Sequence, residues 1–230
     1  MKRIARIVFI KIPVAFFAIT FILVLALRWV PVYVTPLMLC RSIEYKNDPG
    51  FSTQKKWTSY RNISPELAKA VIAGEDNRFP DHNGFDWQEM QKAINDHRNK
   101  GKRLRGASTI SQQTAKNVFL FPSHSFIRKA FEAYFTVLIE LLWGKERIME
   151  VYLNVAEMGK GIYGAEAAAV QLFSKNAAEL TSREASLIAA CLPNPLQRKA
   201  DRPSAYVSKR ARQIRMLTNK LEYPEWISRN

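Results

Sequence analysis

Residues 75–86 read EDNRFPDHNGFD and set four acids, Glu75, Asp76, Asp81 and Asp86, beside His82 within one loop's length. Such a group suits general acid–base catalysis, metal binding, or a polar turn between helices. Zinc fails on ligand count, with one His, no nearby Cys and no second His four residues on. His82 therefore reads as a brace hydrogen-bonded inside the loop. Asp86 opens the box Asp86-Trp87-Gln88-Glu89 and reads as a helix cap. Glu75 follows Leu67 and Val71 at helical spacing and closes the helix expected from Ser64. Asp76 either assists it electrostatically or caps a turn.

A second stretch, RKAFEAYFTVLIE, repeats Arg128, Glu132, Thr136 and Glu140 every four residues, along one helix face. Its other positions are mostly apolar, so the helix is expected to be buried. A buried polar stripe is costly unless its groups are paired or used. Either an Arg128–Glu132 pair holds helices in register, or the stripe is part of a site. A third stretch, GASTISQQTAKN, gathers Ser108, Thr109, Ser111, Gln112, Gln113, Lys116 and Asn117. Hydroxyls, amides and a lysine at a helix N-terminus suit an anion or a sugar, and free N–H groups there favour phosphate. An exposed capping turn would have the same composition. Taken together, and in a chain with the membrane anchor described next, the three stretches suit a reaction on a lipid-linked phosphosugar. A carboxylate would take a sugar hydroxyl's proton, and cations would stabilise a leaving diphosphate.

The elements that must position these groups begin with an anchor. Ile12 to Leu27 carries no charge, and its flanks extend the apolar run to roughly 20 residues, enough to span a bilayer. Lys2, Arg3 and Arg6 precede it, which predicts a cytoplasmic N-terminus and a periplasmic remainder. LRWVPVYV offers no small-x-small cleavage site, so the span is expected to stay uncleaved. Residues 1–30 are then cytoplasmic tail and anchor, 31–62 a membrane-proximal linker, and 63–230 the catalytic domain. The net charge of +15 gathers in RNKGKRLR (98–105) and in the last thirty residues, ending with Arg229. It suits an anionic partner, or is simply a solvated basic surface. Outside an inner membrane that excludes nucleic acid and leaves lipid head groups or lipid-linked phosphate. Cys40 and Cys191 are too few for a disulfide framework and read as unpaired thiols.

After residue 63 the pattern is helical. Ser64-Pro65-Glu66 predicts an N-cap and a helix that fails near Pro80. Further helices are expected over Trp87–Asn99, from the box at Thr109 to about Val118, over Phe126–Trp143 behind Ser125, and over Lys145–Val155. Others follow GKGIYG (159–164), the box at Thr181, and Ser204. GKGIYG itself is expected to be a loop. No alternating strand is evident after residue 63, so the fold is predicted to be mainly α.

Five of these stretches occur in an order that resembles the monofunctional biosynthetic peptidoglycan transglycosylases of glycosyltransferase family 51. They are EDNRFPDHNGFD, GASTISQQTAKN, RKAFEAYFTVLIE, KERIMEVYLNVAEMGKGIYGAEAAA and LTSREASLIAACLPNP. The resemblance implies a lysozyme-like helical domain with a membrane-apposed lobe. It also implies polymerisation of lipid II into β-1,4 glycan, with inversion at the donor. Glu75 would be the general base, and Glu132 would orient cations or a divalent metal (Mg2+ or Mn2+) at the diphosphate. Lys116, Arg128 and Lys129 would contact phosphate. Asp76, Phe79, Ser108, Gln112, Gln113 and Asn117 would complete the substrate-binding set, and RNKGKRLR would lie at the mobile part of the cleft. Partners implied are the growing lipid-linked glycan, the inner membrane, transpeptidases, and division or elongation proteins. With no transpeptidase domain after residue 230, cross-linking would fall to other proteins. One departure is His124, where many relatives carry Arg. A histidine grips phosphate only when protonated. A lytic muramidase-like enzyme and a non-enzymatic anchored scaffold are the rival readings. The first has no use for three phosphate-binding cations, and the second none for a buried Glu132.

Overall fold

The computed structural model describes residues 7–100 and 108–228. Lys2, Arg3, Arg6, most of RNKGKRLR, Gly106 and Arg229 lie outside the described residues.

A π-helical turn, Ile7–Lys11, leads into α1, Ile12–Ala26. The run Phe9–Ala26 is 18 residues long and apolar enough to cross a membrane. Most of its apolar side chains stay exposed, but Thr20 and Val24 are buried. They face α6, Phe126–Leu142. Thr20 Oγ1 and Tyr134 Oη share a 2.7 Å hydrogen bond, and Trp143 Nε1 donates to the Val24 carbonyl at 2.7 Å. Phe16 meets Phe131 edge-on at 5.8 Å.

The segment expected to be a linker is more ordered than its sequence suggests. Thr35 caps α2, Pro36–Glu44, by accepting from the Met38 N–H. Strand β1, Gln54–Lys55, and a 3-10 turn, Tyr60–Asn62, follow. Then come α3 (Pro65–Glu75), α4 (Trp87–Lys100), α5 (Ile110–Phe119), α6 and α7 (Lys145–Val155). The loop expected at GKGIYG holds a strand. β2, Glu157–Gly159, pairs antiparallel with β3, Ile162–Tyr163, which pairs parallel with β1. Strands of two or three residues are too short to show alternation, which is why no strand was expected here. The chain ends with α8 (Ala165–Phe173), a 3-10 turn (Ala177–Glu179), α9 (Ser182–Cys191), α10 (Ala205–Thr218) and the short α11 (Glu225–Ser228). The predominance of helix agrees with the mainly α expectation.

Two packing groups make the core. α3 lies on α9 and α10, while α5 is held between α6 and α7. Small residues allow the close approach in the first group. A Cβ on Gly74 would already stand 3.2 Å from Ile214 Cδ1. One cap differs from expectation. The Ser64 hydroxyl does not cap α3 but donates to the Leu180 carbonyl at 2.7 Å, tying the helix start to the turn before α9. Cys40 and Cys191 are both free thiols.

Candidate active site

The first and second packing groups meet where α3 ends and α5 begins. Glu75 is the last residue of α3, and its partner comes from α5: Gln113 Nε2 donates to Glu75 Oε2 at 3.0 Å. The orientation of that amide is set from α7, because Tyr152 Oη donates to Gln113 Oε1 at 3.2 Å. Burial pushes the Tyr152 hydroxyl well above its ordinary pKa, so it remains a donor. Burial likewise raises the Glu75 pKa. The Gln113 bond and the charges of Arg210 and Arg198 work against that rise, and neighbouring Asp76 adds to it. Neither arginine was expected at the site from the sequence, where Arg210 counted only as part of the basic C-terminal cluster. Each is held by a backbone carbonyl, Arg210 by Gly74 at 3.1 Å and Arg198 by Ala190 at 2.9 Å.

Across the site, α6 presents the cations. Glu132 is 2% exposed and accepts from Arg128 Nη1 at 2.6 Å and from Lys129 Nζ. Arg128 Nε also donates to the Ser123 carbonyl at 2.6 Å, and Lys129 Nζ reaches Ser108 Oγ at 3.3 Å. The ion pair anticipated from the four-residue spacing is therefore present, and it gathers two cations at the helix start. Lys116, on α5, lowers its pKa chiefly through desolvation; Glu132 opposes this, Arg128 and Lys129 reinforce it, and Glu75 opposes it. Lys116 keeps an accessible side chain although packed protein surrounds it, as befits a residue on a cleft wall. It lies within electrostatic reach of both the Glu75 carboxylate and the Glu132 cluster.

The lower half of the stripe does other work. Glu140 accepts from Ser111 Oγ and from Lys145 Nζ, the latter at 2.8 Å, and Lys145 also bonds the His82 carbonyl. Gly84 packs against this half with φ +87°, and a Cβ there would fall 2.8 Å from Thr136 Cγ2. Only glycine suits both the backbone angle and the space. The acid-rich loop is thus clamped onto α6.

Three residues expected to bind substrate are occupied elsewhere. Phe79 is 0% exposed, with Lys145 Nζ 4.5 Å from its ring centre, so it is a core side chain. Gln112 Oε1 accepts from the Thr109 N–H in the capping box that opens α5. Asp76 takes His82 Nε2 at 3.0 Å on both oxygens and the Ile110 N–H at 2.9 Å. Asp76 therefore caps α5 and holds His82, which is the brace its loop position suggested. Asp86 accepts from the Glu89 N–H at 3.0 Å and caps α4. Asn117 is buried in α5, and His124 is exposed in the turn before α6.

Among the described residues no three His, Cys, Asp or Glu side chains gather as a metal-binding set. Both Glu132 oxygens are already bound to cations. No step below is routed through a divalent ion.

The family described as Transglycosylase matches residues 44–219. A biosynthetic peptidoglycan transglycosylase of Bacteroides thetaiotaomicron is 58% identical over 205 residues, 89% of this chain and 82% of that protein. Proteins of the same name from Bdellovibrio bacteriovorus (50%, covering 89% of this chain and 82% of that protein) and Caulobacter vibrioides (46%, covering 93% and 91%) are similar over comparable lengths. With the family match and these relatives spanning most of its length, the chain belongs to the transglycosylase family.

Proposed function

We propose that the chain is a peptidoglycan glycosyltransferase that polymerises lipid II, with Glu75 as general base. The 4-hydroxyl oxygen of the acceptor GlcNAc attacks the anomeric carbon of the donor MurNAc while Glu75 accepts its proton. The bond from that carbon to the diphosphate oxygen breaks, undecaprenyl diphosphate leaves, and the configuration inverts. Lys116, Arg128 and Lys129 carry the developing diphosphate charge, with Glu132 orienting the last two. Ser108 positions Lys129, and Gln113 positions Glu75. The carrying observation is the pairing of a half-buried Glu75, bonded by Gln113 and raised in pKa by desolvation, with a lysine in reach of both it and the Glu132 cluster. A lytic enzyme cutting a neutral glycan has no need of that cluster.

Location follows from the anchor. Residues 1–30 would tether the chain to the inner membrane with the N-terminus cytoplasmic, and the domain from residue 63 would face the periplasm. Phe126, 95% exposed, with Ile127 and Phe121, gives the cationic end of α6 an apolar rim suited to a bilayer surface. Transpeptidases and proteins of division or elongation would then use the product strand. The test is direct. Purified protein given lipid II should form polymer, and Glu75→Gln should slow this by about 100-fold or more, the usual worth of a general base. Polymer formed at the normal rate by that variant would sink the assignment.

A further inference from the structure

A second cationic site lies on the far side of α10. At about 100° per residue, Val207, Arg210 and Ile214 share the face of α10 that meets α3, while Ser208, Arg212 and Arg215 share the opposite face. Together with Arg183 and Ser186 of α9 and with Pro203, that opposite face lines a groove of about 280 Å³. Among the described residues none of its three arginines forms an ion pair. The nearby acids are committed elsewhere: Glu184 to Lys175 at 2.9 Å and to the Thr181 N–H, and Asp201 to Arg202 at 3.1 Å. Ser186, buried against the helix, spends its hydrogen on the Ser182 carbonyl at 2.7 Å and keeps only acceptor capacity there.

Three like charges around one concavity repel each other, an arrangement that an anion relieves. Arginine forks match the tetrahedral, multi-oxygen geometry of phosphate and bind it in bidentate fashion. We propose that the groove between α9 and α10 is a phosphoryl-binding site built on Arg183, Arg212 and Arg215, separate from the cations around Glu132. Arg210, on the opposite face, bonds Gly74 beside Glu75, so α10 links the groove to the catalytic side. The occupant is either a soluble phosphate or diphosphate, or the phosphodiester of an anionic lipid head group. This inference does not depend on the polymerase reading.

The test is calorimetric titration of the full chain in non-ionic detergent at fixed ionic strength. Two probes are used, pyrophosphate and dihexanoyl phosphatidylglycerol below its micellar concentration. Arg212→Gln/Arg215→Gln should weaken binding at one site by about tenfold or more, as expected for losing charge-assisted hydrogen bonds. Arg212→Lys/Arg215→Lys should recover only part of it, because lysine keeps the charge without the fork. Both arginines are exposed, so an unchanged thermal midpoint serves as the fold check. Loss of the pyrophosphate site alone identifies a soluble anion, and loss of the phosphatidylglycerol site identifies a head group. Unchanged titrations for the glutamine variant, or lysine variants that bind as tightly as the parent, overturn the proposal.

Discussion

At the residue scale the site depends on how Glu75 is held. Burial lifts its pKa, and the Gln113 amide is the first influence that lowers it again. A base must be unprotonated to act, so activity falls as pH drops through the Glu75 pKa. Gln113→Leu removes the donor, and the pKa should rise further. The acidic limb of the kcat/KM profile should therefore move to higher pH, and a limb that stays put or moves down would show that Gln113 does not tune the base. The same burial has a stability consequence. Since the folded pKa of Glu75 lies above its unfolded value, the native state binds more protons between the two, and stability falls as pH rises through that window. Glu75→Gln lacks this penalty, so its thermal midpoint should exceed the parent's at pH 7, with the gain shrinking below the ordinary glutamate pKa. A gain that persisted at low pH would have another cause. The Arg128–Glu132 pair was legible because four-residue spacing is a local fact, whereas Glu75 was picked from four neighbouring acids by the family resemblance. Arg198 and Arg210 were not legible, because their approach depends on α9 and α10 folding back onto α3.

At the element scale the decisive junction is the start of α5. Thr109 and Gln112 form the expected capping box, and Asp76, from a different segment, takes the Ile110 N–H. Capping boxes are readable from sequence because both partners lie within four residues. Asp76 was ambiguous because its partner is 34 residues away. The strands after residue 63 escaped notice for a related reason, since Ile162–Tyr163 finds a partner as distant as Gln54–Lys55. Phe79 and Gln112 were assigned to substrate by family resemblance, which reports that a position matters without separating packing from contact. Asp76 now admits a clear test. Asp76→Ala leaves the Ile110 N–H and the His82 ring without their acceptor. It should lower stability by about 1–3 kcal/mol, measured as a urea midpoint. Unchanged stability with impaired turnover would instead make Asp76 a substrate ligand.

At the scale of the whole molecule, the question is whether the anchor is a tether or part of the fold. Composition alone marked residues 12–27 as apolar, but it could not show a side of that helix packed on protein. Val24 is 0% exposed, Trp143 donates to its carbonyl, and Arg147 Nη2 donates to the Leu27 and Val30 carbonyls at 2.8 and 2.6 Å. Removing residues 1–30 would uncover Tyr134 and Trp143 and take away all three carbonyls. The domain keeps both packing groups of its core without α1, so the truncated chain should still fold, with a lower thermal midpoint. A truncation that unfolds the chain would mean the boundary at residue 30 is wrong. A mutation cycle separates the seam from general loss of anchoring. Trp143→Phe deletes the donor to Val24 together with part of a buried indole, so in the full chain it should cost about 1 kcal/mol for the bond on top of a packing loss. In the truncated chain, where that acceptor is gone, the same substitution should cost about 1 kcal/mol less, leaving only the packing loss against Phe119 and its neighbours. Equal costs in both backgrounds would show that Trp143 acts within the domain and that α1 is only a tether.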